Sequence, residues 1–291
     1  MATSAWLCLT SLRDRTHRYR RARPGTRVNA PAFSLLELLV TIAILAILVS
    51  LMLPTLAGAR DTARTTRCMT NQRSLVTAWT LYADDHDGRA MPLAYWSAKD
   101  VGNAPPIYWW GRVEDHVDHA PGFITPYLDA SLGEHTVFEC PNQPWGSYVA
   151  QGADEPTSTY GYNGYYLSPA HTPGWAYSIS HRPWRRLGEI HRPTDLLVFA
   201  DAMLGVSDPA RSTALLDPPM LFSAGDWTPN PYPTTSFRHG ADACVSVRAD
   251  ASAATTRADP AWLTQPDLRI GSIGAASDPH YVPDWRDWNA P

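Results

Sequence analysis

From Phe33 to Leu56 the chain is apolar on every side, holding one charge, Glu37, and one proline, Pro54. At 1.5 Å per residue a helix of that length covers roughly 36 Å, more than the ~30 Å hydrocarbon core of a bilayer. Beyond Leu56 the pattern turns from uniform to periodic. Cys68, Leu75, Trp79 and Tyr82, supported by Val76 and Ala83, recur at helical spacings, while Arg60, Arg64, Arg67 and Arg73 fall off that stripe. Together the two stretches predict one helix of about 50 residues. Its first half is apolar all round, and its second half lays one face on a globular head. Asp84-Asp85-His86-Asp87-Gly88 ends it, with Gly88 free to take the left-handed conformation of a helix C-terminus.

From about residue 89 proline, glycine, tryptophan and tyrosine become frequent and helical periodicity disappears. Leu196–Ala200 and Ala243–Ala249 read as strands, the second alternating so that Val245, Val247 and Ala249 share a face. Tyr160–Tyr166, with Asn163-Gly164 at its centre, predicts a hairpin. Residues 201–236, with Pro209, Pro218, Pro219, Pro231 and Pro233, read mostly as loop, and the last ~30 as a tail-like stretch that keeps Trp262, Trp285 and Trp288. The expected class is α+β: a long N-terminal helix packed on a loop-rich antiparallel β head.

Charge sharpens the division. Residues 1–32 hold seven arginines and one acid, Asp14, about +6, while residues 33–291 hold 17 basic and 27 acidic residues, about −10. An acidic body excludes a generally basic nucleic-acid binder. Arginines on one flank of an apolar stretch are the positive-inside signature of a single-pass anchor with a cytoplasmic N-terminus. An ordinary secretory signal is the rival, because Ala57-Gly58-Ala59 has the A-x-A form of a cleavage site. Against it, the apolar stretch is longer than a usual h-region, and Glu37 in hydrocarbon costs roughly 2.5–3.5 kcal/mol. A carboxylate in that place calls for a partner.

Ala32-Phe33-Ser34-Leu35-Leu36-Glu37, followed by the apolar helix, resembles the N-terminal cleavage and methylation motif of type IV prepilins and type II secretion pseudopilins. The resemblance implies a pilin-like fold and division into a basic leader (1–32), a transmembrane and assembly helix (33–56), an amphipathic continuation (57–88) and a periplasmic or extracellular head (89–291). It implies that a prepilin peptidase cuts between Ala32 and Phe33 and methylates the new Phe33 amine. Glu37 would pair with that amine on a neighbouring subunit, as a buried carboxylate matched by a cation. Pro54 would kink the helix. Ala32 stands where glycine is usual; its small size implies slower or unchanged cleavage.

Landmarks in the head extend the resemblance to pseudopilin-like proteins of planctomycetes and related bacteria. They are Arg67–Gln72 with Tyr82–Asp85 and Gly88, Phe138-Glu139-Cys140-Pro141, Ser158–Asn163, and Phe237-Arg238-His239-Gly240 followed by Asp250. The last reproduces a His-x9-Asp-Gly signature in which Ala251 replaces the glycine, so a bulge or longer loop is expected there. Expected partners are the peptidase, other pilin or pseudopilin subunits and inner-membrane lipid, with no nucleic acid. The resemblance also implies a Cys68–Cys140 disulfide, since both cysteines lie in these landmarks and would face an oxidising compartment. Cys8 would leave with the leader, and Cys244 reads as a small buried residue.

No other cofactor or catalytic constellation is expected. Zinc is disfavoured because no paired C-x-x-C spacing exists. His116 and His119 beside Asp115 and Asp118 lack a hydrolytic zinc motif. Asp84, Asp85 and Asp87 offer oxygens for calcium but fail the EF-hand pattern. His239 with Asp250 lacks an activated nucleophile. Tyr108, Trp109, Trp110, Trp145, Trp175 and Trp184 fit a core better than a sugar platform. The chain thus reads as a structural subunit that catalyses nothing. The alternative is a membrane-tethered carbohydrate-binding or hydrolytic head that borrows a prepilin-like anchor.

Overall fold

The computed structural model describes residues 33–96, 101–152, 154–168, 184–223, 226–284 and 286. The leader with Ala32, and Trp175, Trp285 and Trp288, lie outside the described residues. The chain divides into two units, one ending at Met52 and one from Leu53 onward.

Helix α1 runs Leu35–Asp85, 51 residues, as the two hydrophobic patterns require. In the first unit its large apolar side chains are all exposed. Pro54, just past the division, lies inside the helix and leaves the Ser50 carbonyl without its N–H donor. Within the second unit Cys68, Gln72, Leu75, Val76, Ala78, Trp79, Tyr82 and Ala83 are buried, which is the expected stripe with Gln72 added. After Asp85, the Gly88 N–H bonds back to Ala83 O at 2.8 Å with Gly88 at φ 75°, the left-handed stop read from the sequence.

The head is built of short antiparallel strands. A four-stranded meander, β1 (Ala94–Tyr95), β2 (Ile107–Tyr108), β3 (Gly111–Val113) and β4 (Val117–Asp118), precedes the central sheet. The central sheet has the order β11-β10-β6-β5, from β5 (Tyr160–Tyr162), β6 (Leu197–Asp201), β10 (Ala243–Arg248) and β11 (Ala253–Arg257). Between β6 and β10 lie a hairpin, β7 (Met220–Ser223) with β8 (Asp226–Pro229), and β9 (Thr235–Ser236). The last sheet joins β9 to β13 (Ile270–Gly271) and β12 (Leu263–Gln265).

The central sheet is buried on both faces. Val198, Val245 and Val247 join the helix stripe and Trp109, Phe138, Tyr160 and Tyr162 in one core; Leu197, Ala200 and Cys244 join Tyr165, Tyr166, Phe222, Phe237 and Tyr281 in another. Each large side chain so buried contributes about 1.5–3 kcal/mol. Trp79 is fully buried, and its indole N–H donates to the Tyr162 hydroxyl, which in turn donates to Met91 O.

Three expectations are corrected or refined. Tyr160–Tyr166 is not a hairpin: β5 pairs with β6, and the chain then turns into a short helix, Gly164–Leu167. The cause is Asn163, whose buried side-chain amide donates to Leu197 O and Tyr281 O instead of shaping a local turn. Residues 201–236 are mostly loop as expected, interrupted by the β7–β8 hairpin, which Pro218-Pro219 and Pro229 frame at its ends, sparing its ladder. The C-terminal stretch is not a tail through residue 282, because Tyr281 and Val282 are buried and the Tyr281 hydroxyl accepts from Ile273 N–H. Ala251 keeps a left-handed conformation, φ 65°, in the tight β10–β11 turn, where Arg248 and Ser252 close the loop. The expected lengthening of that loop is absent.

Candidate functional site

Two sites emerge, one in each unit. At the start of α1, Ser34 is the helix cap. Its hydroxyl accepts from the Leu36 and Glu37 N–H groups at 3.2 and 3.4 Å, and its own N–H donates to Glu37 Oε2 at 3.0 Å. This reciprocal capping box satisfies amides that a helix start leaves open. The Ser34-x-x-Glu37 spacing is the sequence signal for this cap. Phe33 and the apolar side chains that follow, to Leu56, are exposed, so this surface needs lipid or other apolar helices to cover it.

The second site lies where α1 meets the central sheet. Cys68 comes from α1, Cys140 from the loop before β5, Asp201 from the end of β6, and Arg238 and His239 from the approach to β10. Cys68, Cys140 and Asp201 are fully buried and His239 is 2% exposed. The Asp201 carboxylate sits at the centre. Oδ1 takes the Cys68 thiol at 3.4 Å and Arg238 at 3.2 Å; Oδ2 takes His239 Nε2 at 3.1 Å and Val245 N–H at 2.7 Å. His239 Nε2 also lies 3.3 Å from Cys140 Sγ. On the far edge of the ring, Nδ1 meets Thr65 Oγ1 at 3.1 Å and the Asn142 amide at 3.2 Å. Gly240 follows because a Cβ there would strike the Asp61 carboxylate on α1.

These contacts set the charges. Burial pushes Asp201 toward the neutral form, but Arg238, His239 and the Val245 amide overcome it and hold the carboxyl below its ordinary range. Burial depresses His239, yet the bonds to Asp201 and Cys140 raise it to about 9. Burial raises both thiols; Cys68, donating beside Asp201, stays well above the ordinary thiol value. The Cys68 hydrogen bond, Arg238 and His239 bring Cys140 below it.

The other expected residues are accounted for separately. Cys68 and Cys140, expected as a disulfide, are brought together as two free thiols in hydrogen-bond contact, each also engaged by other members of the cluster. His239 pairs with Asp201, whereas Asp250 accepts from Ser252 N–H in the β10–β11 turn. His116 is exposed, and His119 lies against Trp110 O; Asp118 pairs with Arg112. Asp85 accepts from the Tyr127 hydroxyl. Tyr108, Trp109 and Trp110 are core, and Trp184 donates to Ala90 O. Asp201, the hub, was read only as the residue after a strand; no local motif marks it.

Residues 29–53 match the prokaryotic N-terminal methylation motif. No curated protein and no solved structure matches the chain. Among the described residues one helix is long and apolar enough to cross a membrane, and it is the one that carries the motif. The motif and this long, unburied apolar helix fit a prepilin-like protein, processed at its N-terminus and anchored by a single span.

Proposed function

We propose that the chain is a structural pilin-like subunit, a pseudopilin, made as a precursor and assembled into a filament of a type II secretion or type IV pilus-like system. The observation that carries this reading is the methylation motif on a helix whose apolar side chains are exposed among the described residues. A prepilin peptidase cuts between Ala32 and Phe33 on the cytoplasmic side and methylates Phe33. The arginine-rich leader holds the N-terminus in the cytoplasm, and the acidic head lies beyond the inner membrane. Helices then pack in lipid, with Ala43, Ala46 and Ser50 permitting close approach and Glu37 meeting the Phe33 amine of a neighbour. The chain is the substrate of a processing enzyme and has no catalytic step of its own.

N-terminal sequencing of the membrane-extracted protein, co-expressed with a prepilin peptidase, tests this. The expected mature end is N-methylated Phe33. An end at Arg60, after Ala57-Gly58-Ala59, would identify an ordinary signal peptide and refute the reading.

A further inference from the structure

The filament role makes no use of the buried polar cluster in the head, whose composition is that of a metal-ligand set. We propose that Cys68, Cys140, Asp201 and His239 form a closed, structural site for a divalent cation of the zinc class, fastening α1 to the central sheet. Two sulfurs, one imidazole nitrogen and one carboxylate oxygen suit zinc, and four protein ligands leave no open position for catalysis.

The geometry is close to that of a loaded site. Zinc bonds of about 2.3 Å to sulfur and 2.0–2.1 Å to nitrogen or oxygen place tetrahedral corners about 3.3–3.8 Å apart. Three separations lie near this: 3.3 Å from Cys140 Sγ to His239 Nε2, 3.1 Å from His239 Nε2 to Asp201 Oδ2, and 3.4 Å from Cys68 Sγ to the other carboxylate oxygen, Oδ1, so the carboxylate would turn to give the metal one oxygen. All four ligand atoms lie within 4.8 Å of one another. The four residues come from four separate segments, which is why no paired spacing announced them.

The surroundings fit as well. The Thr65 hydroxyl donates to Asp61 O at 3.0 Å, which leaves its oxygen able to accept from His239 Nδ1 when that nitrogen carries a proton, with Nε2 facing Cys140 and Asp201. A metal-bound histidine is fixed by this kind of bond at its other nitrogen. Two thiolates and a carboxylate carry three negative charges; a dication and Arg238, 3.2 Å from Asp201, bring the sum to zero. Loading releases the thiol protons of Cys68 and Cys140 and the Nε2 proton of His239. A surface hollow of about 360 Å³, lined by Asp61, Thr62, Thr65, His239, Gly240 and Arg257, gives a route from solvent to the histidine edge.

The test uses the full-length protein, extracted in detergent without a histidine tag, equilibrated with zinc and passed through a desalting column. Elemental analysis should find about one zinc per chain, and Cys140→Ser should lower this at least tenfold. Should that variant fail to fold, cobalt exchange into the unaltered protein keeps the question open to measurement, because thiolate ligation gives a near-ultraviolet charge-transfer band beside tetrahedral visible bands. The proposal fails if the unaltered protein retains no zinc, or if Cys140→Ser retains as much. It fails equally if cobalt shows no thiolate band, or if mass spectrometry finds Cys68 and Cys140 joined with the loss of two hydrogens.

Discussion

Glu37 has two partners to serve, and two substitutions separate them. Within the chain its carboxylate accepts the Ser34 N–H at 3.0 Å, a capping bond of a kind typically contributing about 1 kcal/mol. In the assembled filament it would meet a neighbour's ammonium in a lipid-excluded interface, where removing one partner of a buried pair costs about 3–5 kcal/mol. Glu37→Gln keeps an oxygen for the Ser34 amide and removes the charge; Glu37→Leu removes both. With about 1.4 kcal/mol per tenfold, losing the pair lowers the association constant by roughly 100- to 4,000-fold, against about fivefold for the cap. The assay compares processed subunit in a sheared or pelleted filament fraction with that left in the membrane, with intact mass reporting cleavage. Both variants should be cleaved normally and should fall out of the filament alike. If Glu37→Gln assembled as well as the unaltered protein while Glu37→Leu did not, the capping bond would be the operative one and the charge-pair argument would be wrong.

Three further outcomes follow from the head. His239, raised to about 9 against an ordinary value near 6.5, contributes about 3 kcal/mol that is complete below pH 6.5 and lost as pH climbs through 9. Asp201, held low, contributes above its ordinary value and loses this in acid. Cys140, held below its ordinary value, gains above neutrality what His239 loses, so chelator-treated protein should show its clear loss of stability on the acid side by tryptophan-monitored urea unfolding. In Asp201→Asn, Arg238 loses its buried counter-charge, which should cost about 3–5 kcal/mol and flatten the acid limb; a profile that keeps its acid slope would remove Asp201 as the cause. Ala251→Gly should stabilise the head by about 1 kcal/mol, because the residue already sits at φ 65°; a lower urea midpoint would contradict this.

The elements legible in the sequence were those long enough to show a pattern. The second half of the 51-residue helix came through from its apolar stripe, its first half and β6 from continuous apolar runs, and β10 from the alternation of Val245, Val247 and Ala249. Strands of two or three residues, such as β1, β2, β9 and β13, carry too few side chains to alternate, and β9 and β13 pair with each other across a long stretch of chain. Asn163-Gly164 has the composition of a hairpin turn, yet the amide of Asn163 is spent on two carbonyls 34 and 118 residues away. The buried cluster was hidden for the same reason. The sequence suggests Cys68 with Cys140 and His239 with Asp250, but the meeting of Cys68, Cys140 and His239 at Asp201 is a property of the central sheet and of no local spacing.

The stripe on α1 also sets the order in which this head can be completed. Synthesis runs from the N-terminus, so Cys68, Leu75, Val76 and Trp79 emerge well before anything can cover them. Cys68 waits 133 residues for Asp201, and Gln72 waits 173 for the Val245 carbonyl that its amide reaches. At 5–20 residues per second that interval lasts roughly 10–35 seconds, during which an amphipathic helix with an open apolar face is the chain's most adhesive surface. The cover of that face is therefore completed late, when β10 is made and pairs with β6, and a chain truncated before Ala243 would leave the helix without Val245 and Val247 against it.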